Sequence, residues 1–326
     1  MAEIDILLAA YNGEKYIAEQ IDSILGQTFK DFRLIIRDDD STDRTPEIIE
    51  EYAKKYPGII EVVHDDAVCR YHAKNFFQLL KHAEADYVMF CDQDDYWLKW
   101  KIDVTLDYMK KTEKENPGKG VLVFTGLHVA DNELNSMDKF MACELEKYRY
   151  SFSELLDVVN CVTGCTVMIN RRIYTRLGEY SDSIKNHDYW VALYASACGV
   201  VCHVPMALML YRQHKNNAIG YIEHSRAYKL RLRIKRIKNF LKDPAETFRE
   251  FYDNFNNMRR AYTLFRDRYA CDMYPEALQH LNNFLDTFSS SLITRFKALR
   301  KTKYRLQYRI VSKGVFYLSL ITYKPD

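Results

Sequence analysis

The sequence predicts an α/β fold, a mainly parallel central sheet flanked by helices, followed by a helical C-terminal region. Three observations carry this expectation. Short apolar runs alternate with amphipathic stretches over the first 90 residues, the pattern of a parallel sheet covered by helices on both faces. The runs end in polar clusters, at Tyr11-Asn12-Gly13, Asp38-Asp39-Asp40-Ser41 and Asp92-Gln93-Asp94-Asp95. After Gly220 the apolar spacing becomes helical and remains so nearly to the end.

Each element follows from local pattern. Ile4 to Ala10 is a compact apolar run and reads as a buried strand, with helical spacing from Glu14 to Leu25 after it. Leu34 to Ile36 is a second strand. Thr45-Pro46 opens a helix to about Tyr56, with proline at a tolerated first-turn position. Ile59 to Val63, a helix from Asn75 to His82, and a strand from Tyr87 to Phe90 complete the alternation. Beyond residue 120 the pattern is mixed: strands at Val121 to Thr125 and Cys165 to Ile169, then a helix from about Asp188 to Cys198. In open sheets of this kind ligands bind beyond the carboxyl ends of the strands, which is where the aspartate clusters fall.

The expected division is a catalytic domain over 1–220 and a basic helical region over 221–326. Of 326 residues, 48% are apolar and 28% charged, which excludes wholesale disorder. The net charge of +2 hides an asymmetry: residues 221–326 hold 22 Lys/Arg against 10 Asp/Glu, and residues 1–220 hold 25 against 35. Leu230 to Leu241 reads as a basic amphipathic helix, suited either to an anionic membrane surface or to packing on the catalytic domain. The eight cysteines form no CxxC pair and read as buried free thiols of a reducing compartment. An acidic N-terminus does not suit an export signal, and the apolar run Val315 to Ile321 is too short to span a bilayer. The expected location is cytoplasmic, with peripheral contact at the inner face of the membrane.

Asp92-Gln93-Asp94-Asp95 concentrates three carboxylates directly after an apolar strand. Like charges at that spacing repel, and a hard divalent cation, Mg²⁺ or Mn²⁺, would neutralise them together with diphosphate oxygens; the plainer reading is an acidic surface turn. Asp39 stands at an earlier strand end, able to accept hydrogen bonds from a nucleotide, while Asp43 reads mainly as a helix cap. Tyr211 to Gly220 is polar and basic. It reads either as a solvated connection or as a loop closing on a diphosphate, with Arg212 on phosphate and His214 on the metal.

Ala9-Ala10-Tyr11-Asn12, Arg37-Asp38-Asp39-Asp40-Ser41-Thr42-Asp43 and Asp92-Gln93-Asp94-Asp95, in this order and spacing, resemble glycosyltransferase family 2 with its GT-A fold. The resemblance covers about residues 3–220. It implies that Ala10 and Tyr11 line the base pocket, Asp39 binds the nucleobase, Asp92 approaches the ribose or sugar, Asp94 coordinates the metal and Asn75 lies near the nucleotide. The family's general base maps onto Asp188 in Asn186-His187-Asp188-Tyr189-Trp190, with His187 where the family has glutamate; read alone, such an aspartate is a helix cap. Gly164-Cys165-Thr166 resembles the acceptor-side loop, while Cys165 reads equally as small core packing. Trp97, Trp100, Tyr189 and Trp190 read either as core, the commoner role of an aromatic, or as stacking on a sugar ring, with Trp190 the preferred acceptor contact. The segments His187 to Trp190 and Tyr211 to His214 resemble the rhamnosyltransferase-like branch, implying a dTDP-L-rhamnose donor, with a UDP-sugar as the alternative, and a glycan or lipid-linked acceptor. The family usually has glycine where Asp40 stands, so Asp40 requires a permissive backbone conformation or a shifted loop. A nucleotidyltransferase would need a glycine-rich phosphate loop that Ala10 to Glu14 is not, and nucleic-acid binding is not expected of a tail whose charges alternate with Leu and Ile at helical spacing.

Overall fold

In a computed structural model of the chain, residues 2–141, 150–157, 162–215, 217, 231, 234–235, 238–289, 291–301 and 322 are described. The chain forms two units, one of residues 1–151 and 160–220, the other of residues 152–159 and 221–326. Residues 152–159, which the sequence reading places in the first domain, group with the second.

The first unit opens with β1 (Ile4–Ala10), α1 (Ile17–Leu25), β2 (Phe32–Asp38), α2 (Thr45–Lys55), β3 (Ile60–Val62), α3 (His72–Leu79) and β4 (Tyr87–Asp92). Strands β3, β2, β1 and β4 lie side by side and parallel, with Ala10 opposite Asp38 and Ala9 opposite Asp92. Each inner strand is buried on both faces, which explains its unbroken apolar run. The sheet continues in mixed register through β8 (Val167–Asn170), β6 (Val121–Ala130), β9 (Val200–Arg212) and the short β5 (Tyr96–Trp97), with β7 (Ser136–Met141) on β6. Helices α4 (Lys101–Glu115), α6 (Arg171–Tyr174) and α7 (His187–Cys198) complete the unit. The fold is the mixed α/β arrangement expected, mainly parallel in its first half.

Two long elements are absent from the sequence reading. Helix α4 is rich in charge, and its apolar positions are sparse: Ile102, Leu106 and Met109 are its buried aliphatic side chains. Strand β9 contains Pro205, which reads as a strand breaker. The ladder with β6 accommodates it by a register shift: Thr125 pairs with Val204 and Gly126 with Ala207, so Pro205 sits in a bulge where no ladder N–H is required. Consequently Arg212 ends a strand instead of lying in a loop.

The second unit holds α5 (Phe152–Asp157), α8 (Pro244–Tyr269), α9 (Pro275–Asp286) and α10 (Leu292–Lys301). Asp243 caps α8 by accepting a hydrogen bond from the Glu246 N–H at 2.8 Å. Phe255, Phe265, Leu281, Phe284 and Phe288 form its apolar interior, with the Tyr262 and Phe284 rings 4.9 Å apart edge to face. The expected helix at Leu230 to Leu241 lies largely outside the described residues; of its apolar positions, Ile234 and Leu241 are exposed. Among the described residues no helix is long and apolar enough to cross a membrane.

Candidate active site at the carboxyl ends of the strands

Loops leaving β1 and β2 are sewn together by side chains on backbone groups. The Ser41 hydroxyl accepts from the Asn12 N–H at 2.8 Å, and Asn12 Oδ1 accepts from the Thr42 N–H at 2.8 Å. Asp43 accepts from the Glu14 and Thr45 N–H groups, so it bridges the two loops as well as serving the start of α2. Asp40 has φ +64°, the left-handed conformation in which the family's glycine is at ease. Asp40 thus meets the permissive conformation and takes its strain.

Beneath this loop Arg37 is buried and donates to Asp65 at 2.7 and 3.0 Å, Asp39 at 3.2 Å, Asn75 at 2.9 Å and the Ala67 carbonyl. Burial opposes its charge, but the Asp65 and Asp39 hydrogen bonds overcome that and hold its pKa above the ordinary value. Asp39 also accepts from the backbone N–H groups of Cys69, at 2.7 Å, and Arg70. Asn75 is thus a buried member of the Arg37 network. Ala10 is buried, and its carbonyl accepts from the Asp39 N–H at 2.9 Å. Tyr11 is 49% exposed, and its backbone is clasped at both ends by one side chain: Gln93 Oε1 accepts from its N–H and Gln93 Nε2 donates to its carbonyl, each at 2.8 Å. A Cβ on Gly13 would lie 2.2 Å from Gln93 Oε1, so glycine there makes the clasp possible. Neither Gln93 nor Gly13 stood out in the sequence, although Gln93 lies inside one motif and Gly13 directly follows another.

At the end of β4, Asp94 and His214 meet, with Oδ2 and Nε2 2.7 Å apart, and Asn217 Nδ2 lies 3.4 Å from the same oxygen. The His214 ring stacks on Tyr16 at 4.7 Å. A carboxylate and an imidazole converging at a strand end are a donor pair for a divalent cation, which would replace the bond between them. Asp92 loses hydration and faces Asp94 and Asp188, which together push its pKa up to about 7. Asp95 is fully buried; burial first, then Asp94 and Asp92, holds its carboxyl far above the usual range.

Asp188 lies in the first turn of α7, where its Oδ2 accepts from the Gly164 N–H at 3.3 Å and its Oδ1 from the Tyr189 N–H at 2.5 Å. Gly164 opens a 3-10 turn, Gly164–Thr166, and a Cβ on it would come within 2.5 Å of His187 Nε2. His187 is buried among Phe76, Phe90 and His72, and neither of its ring nitrogens has a hydrogen-bond partner. Burial, then His72, depresses its pKa well below the ordinary value and keeps it neutral.

Three expected contacts are corrected by this geometry. Arg212 is buried, and its guanidinium donates to the Asp94 carbonyl at 2.9 Å, the Asn132 carbonyl and Glu19, while its N–H donates to Asp95 at 3.2 Å. It braces the aspartate loop and does not present itself to phosphate. Trp190 is 3% exposed and belongs to the core, because α7 is apolar around most of its circumference. Cys165 is buried beneath the site, its sulfur within 4.8 Å of carboxylate oxygens of Asp92 and Asp95. The exposed aromatic beside Asp188 is Tyr71, whose hydroxyl donates to the Lys185 carbonyl.

An alternating sheet with two aspartate loops at its carboxyl edge, and a carboxylate-bearing helix facing them, defines a GT-A glycosyltransferase. The family described as Glycosyl transferase family 2 matches residues 5–178, and the chain belongs to it. The dTDP-rhamnosyl transferase RfbG of Shigella flexneri is 30% identical over 247 residues, 72% of this chain and 81% of its own length. TuaG of Bacillus subtilis, a teichuronic acid biosynthesis glycosyltransferase, is 30% identical over 169 residues, 52% of this chain and 62% of its own, under two thirds. Among solved structures, Staphylococcus aureus TarS 1–349 in complex with UDP-GlcNAc superposes with a TM-score of 0.57 at 16% identity, covering 97% of this chain and 79% of that one. That likeness is one of fold.

Proposed function

We propose that the protein transfers L-rhamnose from dTDP-L-rhamnose to a hydroxyl of a glycan or lipid-linked acceptor, inverting the anomeric centre with a divalent cation bound. The observation that carries the reading is the convergence of Asp188, Asp92 and the Asp94–His214 pair at one strand edge. Asp188 serves as general base, taking the proton from the acceptor hydroxyl as that oxygen attacks the sugar. It receives two backbone N–H groups, which orient it. Attack on the face opposite the leaving group turns a β-linked donor into an α-L-rhamnoside. Asp39 and the exposed Tyr11 ring hold the base, Asp92 meets the ribose or sugar, and Asp94 with His214 holds Mg²⁺ or Mn²⁺. When bound, the ion supplies positive charge for the departing diphosphate.

The donor assignment is supported by identity to RfbG and by the segments around Asp188 and His214. The second unit, with Ile234 and Leu241 exposed on the segment that carries Lys235 and Lys238, and Leu292 and Ile293 exposed elsewhere, is proposed to rest on the anionic inner face of the cell membrane; salt-sensitive binding to anionic liposomes tests this. The test of the main reading is thermal protection by nucleoside diphosphates and nucleotide sugars, with and without Mn²⁺. A ligand at about 100 times its dissociation constant adds about 2.7 kcal/mol. Metal-dependent protection by dTDP, lost in Asp94→Ala and retained in Asp188→Asn alongside a kcat at least about 100-fold lower, is the expected result. Protection by UDP-sugars alone overturns the donor; no protection by any nucleotide overturns the transferase reading.

A further inference from the structure

Lys101 is the one lysine among the described residues with no exposed surface. It occupies the first position of α4, where the helix dipole is unfavourable to a cation, and burial removes its hydration. Placement against both effects requires compensation, and the surroundings supply it. Nζ donates to the Cys165 carbonyl at 2.6 Å, approaches Met209 Sδ at 3.3 Å and lies 4.3 Å from the centre of the Trp97 ring. None of these partners is an anion. Burial pulls the Lys101 pKa down to about 8, still above neutrality, and Cys165, Cys91, Asp95 and Asp92 act through space to raise it; the Cys165 sulfur lies beside the two carboxylates and its carbonyl accepts from the ammonium.

The Cys165 carbonyl belongs to the turn Gly164–Thr166, and the Gly164 N–H of that turn donates to Asp188. Lys101 thus grips the 165–166 peptide of the turn, and the 163–164 peptide, two units back along the same turn, orients the carboxylate. We propose that Lys101 is a positioning residue: its buried ammonium clamps the Gly164–Thr166 turn and thereby sets Asp188 against the donor site. The catalytic part of this inference rests on the transferase reading above. The same ammonium disfavours a cation among Asp92, Asp95 and Cys165, leaving Asp94 and His214 as the metal side of the loop.

The test is Lys101→Met in the full-length protein, read in two ways. Amide hydrogen exchange over residues 163–167 should accelerate by about tenfold or more as the turn loosens, while exchange in the 10–16 and 39–45 loops stays unchanged. Nucleoside diphosphate release with water as acceptor, from whichever of dTDP-L-rhamnose or the UDP-sugars the wild type hydrolyses, should lose about 10- to 100-fold in kcat. Binding of that diphosphate with Mn²⁺ should stay within about twofold, a split that general loosening of the fold would not give. A folded variant with wild-type exchange and kcat, or with binding and kcat falling together, overturns the proposal. A wild type that hydrolyses no nucleotide sugar counts against the transferase reading, while the exchange comparison still decides the clamp. Should Lys101→Met not fold, the double variant Asp95→Asn/Lys101→Met is compared with Asp95→Asn: a further loss of about tenfold is expected, and none overturns the clamp.

Discussion

The two halves of the site are built on opposite terms. Around β1 and β2, every polar group named has a partner: Arg37 divides its donors among Asp39, Asp65, Asn75 and Ala67, and the loops above are stitched by Ser41, Asn12 and Asp43. Around β4, α4 and α7, groups are buried with partners missing or of like charge: Asp92 faces Asp94 and Asp188, Asp95 Oδ2 accepts no hydrogen bond, and His187 has two unpartnered nitrogens. A nucleotide-binding surface gains from being fixed before the ligand arrives. A catalytic surface gains from groups that find their proper partners only when metal and substrate are present, and the fold tolerates the strain until then.

The comparison breaks first at Arg37. If the half proposed to hold the nucleotide is fixed by its network, Arg37→Met leaves the buried Asp39 carboxylate without its cation, and removing one partner of such a pair costs about 3–5 kcal/mol. Denaturant unfolding should show a loss of that size, together with weaker dTDP protection. A loss under about 1 kcal/mol would mean that the backbone donors of Cys69 and Arg70 suffice.

The second half is probed by pH through His187. Its folded pKa lies well below its unfolded value of about 6.5, so the unfolded chain binds a proton that the folded chain refuses. Stability from this group is present above pH 6.5 and falls as pH drops below it, by at most about 1.4 kcal/mol per pH unit. Unfolding curves between pH 7 and pH 5 for wild type and His187→Phe isolate the contribution; the variant should have the shallower slope, and parallel curves would mean the imidazole is protonated in the fold.

The contrast also explains what the sequence made legible. Strands β1, β2 and β4 are buried along nearly their whole length, and β2 and β4 end in aspartates, so periodicity and motif agreed, and Asp39, Asp92, Asp94, Asp188 and His214 fall at one strand edge or beside it. Arg212 and Trp190 each had two readings in the sequence, because residue type says what a side chain can do, whereas the accessible face depends on tertiary packing: β9 carries Arg212 under Asp94, and α7 turns Trp190 inward. Gln93 and Lys101 were invisible for a related reason. Their partners, the Tyr11 backbone and the Cys165 carbonyl, are 82 and 64 residues away, and a backbone group leaves no trace in sequence.

The finest test of the stitched half is Asp40, whose φ of +64° is an L-residue in a conformation suited to glycine. Its side chain is 60% exposed, and its one ion pair, with Arg70, is long at 3.5 Å, so the pair contributes little. Replacing Asp40 by glycine and by alanine removes the same carboxylate, and the difference between the two variants isolates the backbone. Alanine keeps the Cβ clash of the left-handed region without the local hydrogen bonding that favours aspartate there, so Asp40→Gly should exceed Asp40→Ala in stability by about 1 kcal/mol. Glycine's greater unfolded entropy works against this difference, which is why equal stabilities would show that the strain is smaller than the entropy it offsets. Thermal unfolding of the pair decides it, and an unchanged dTDP affinity in Asp40→Gly would place the aspartate outside the donor contacts.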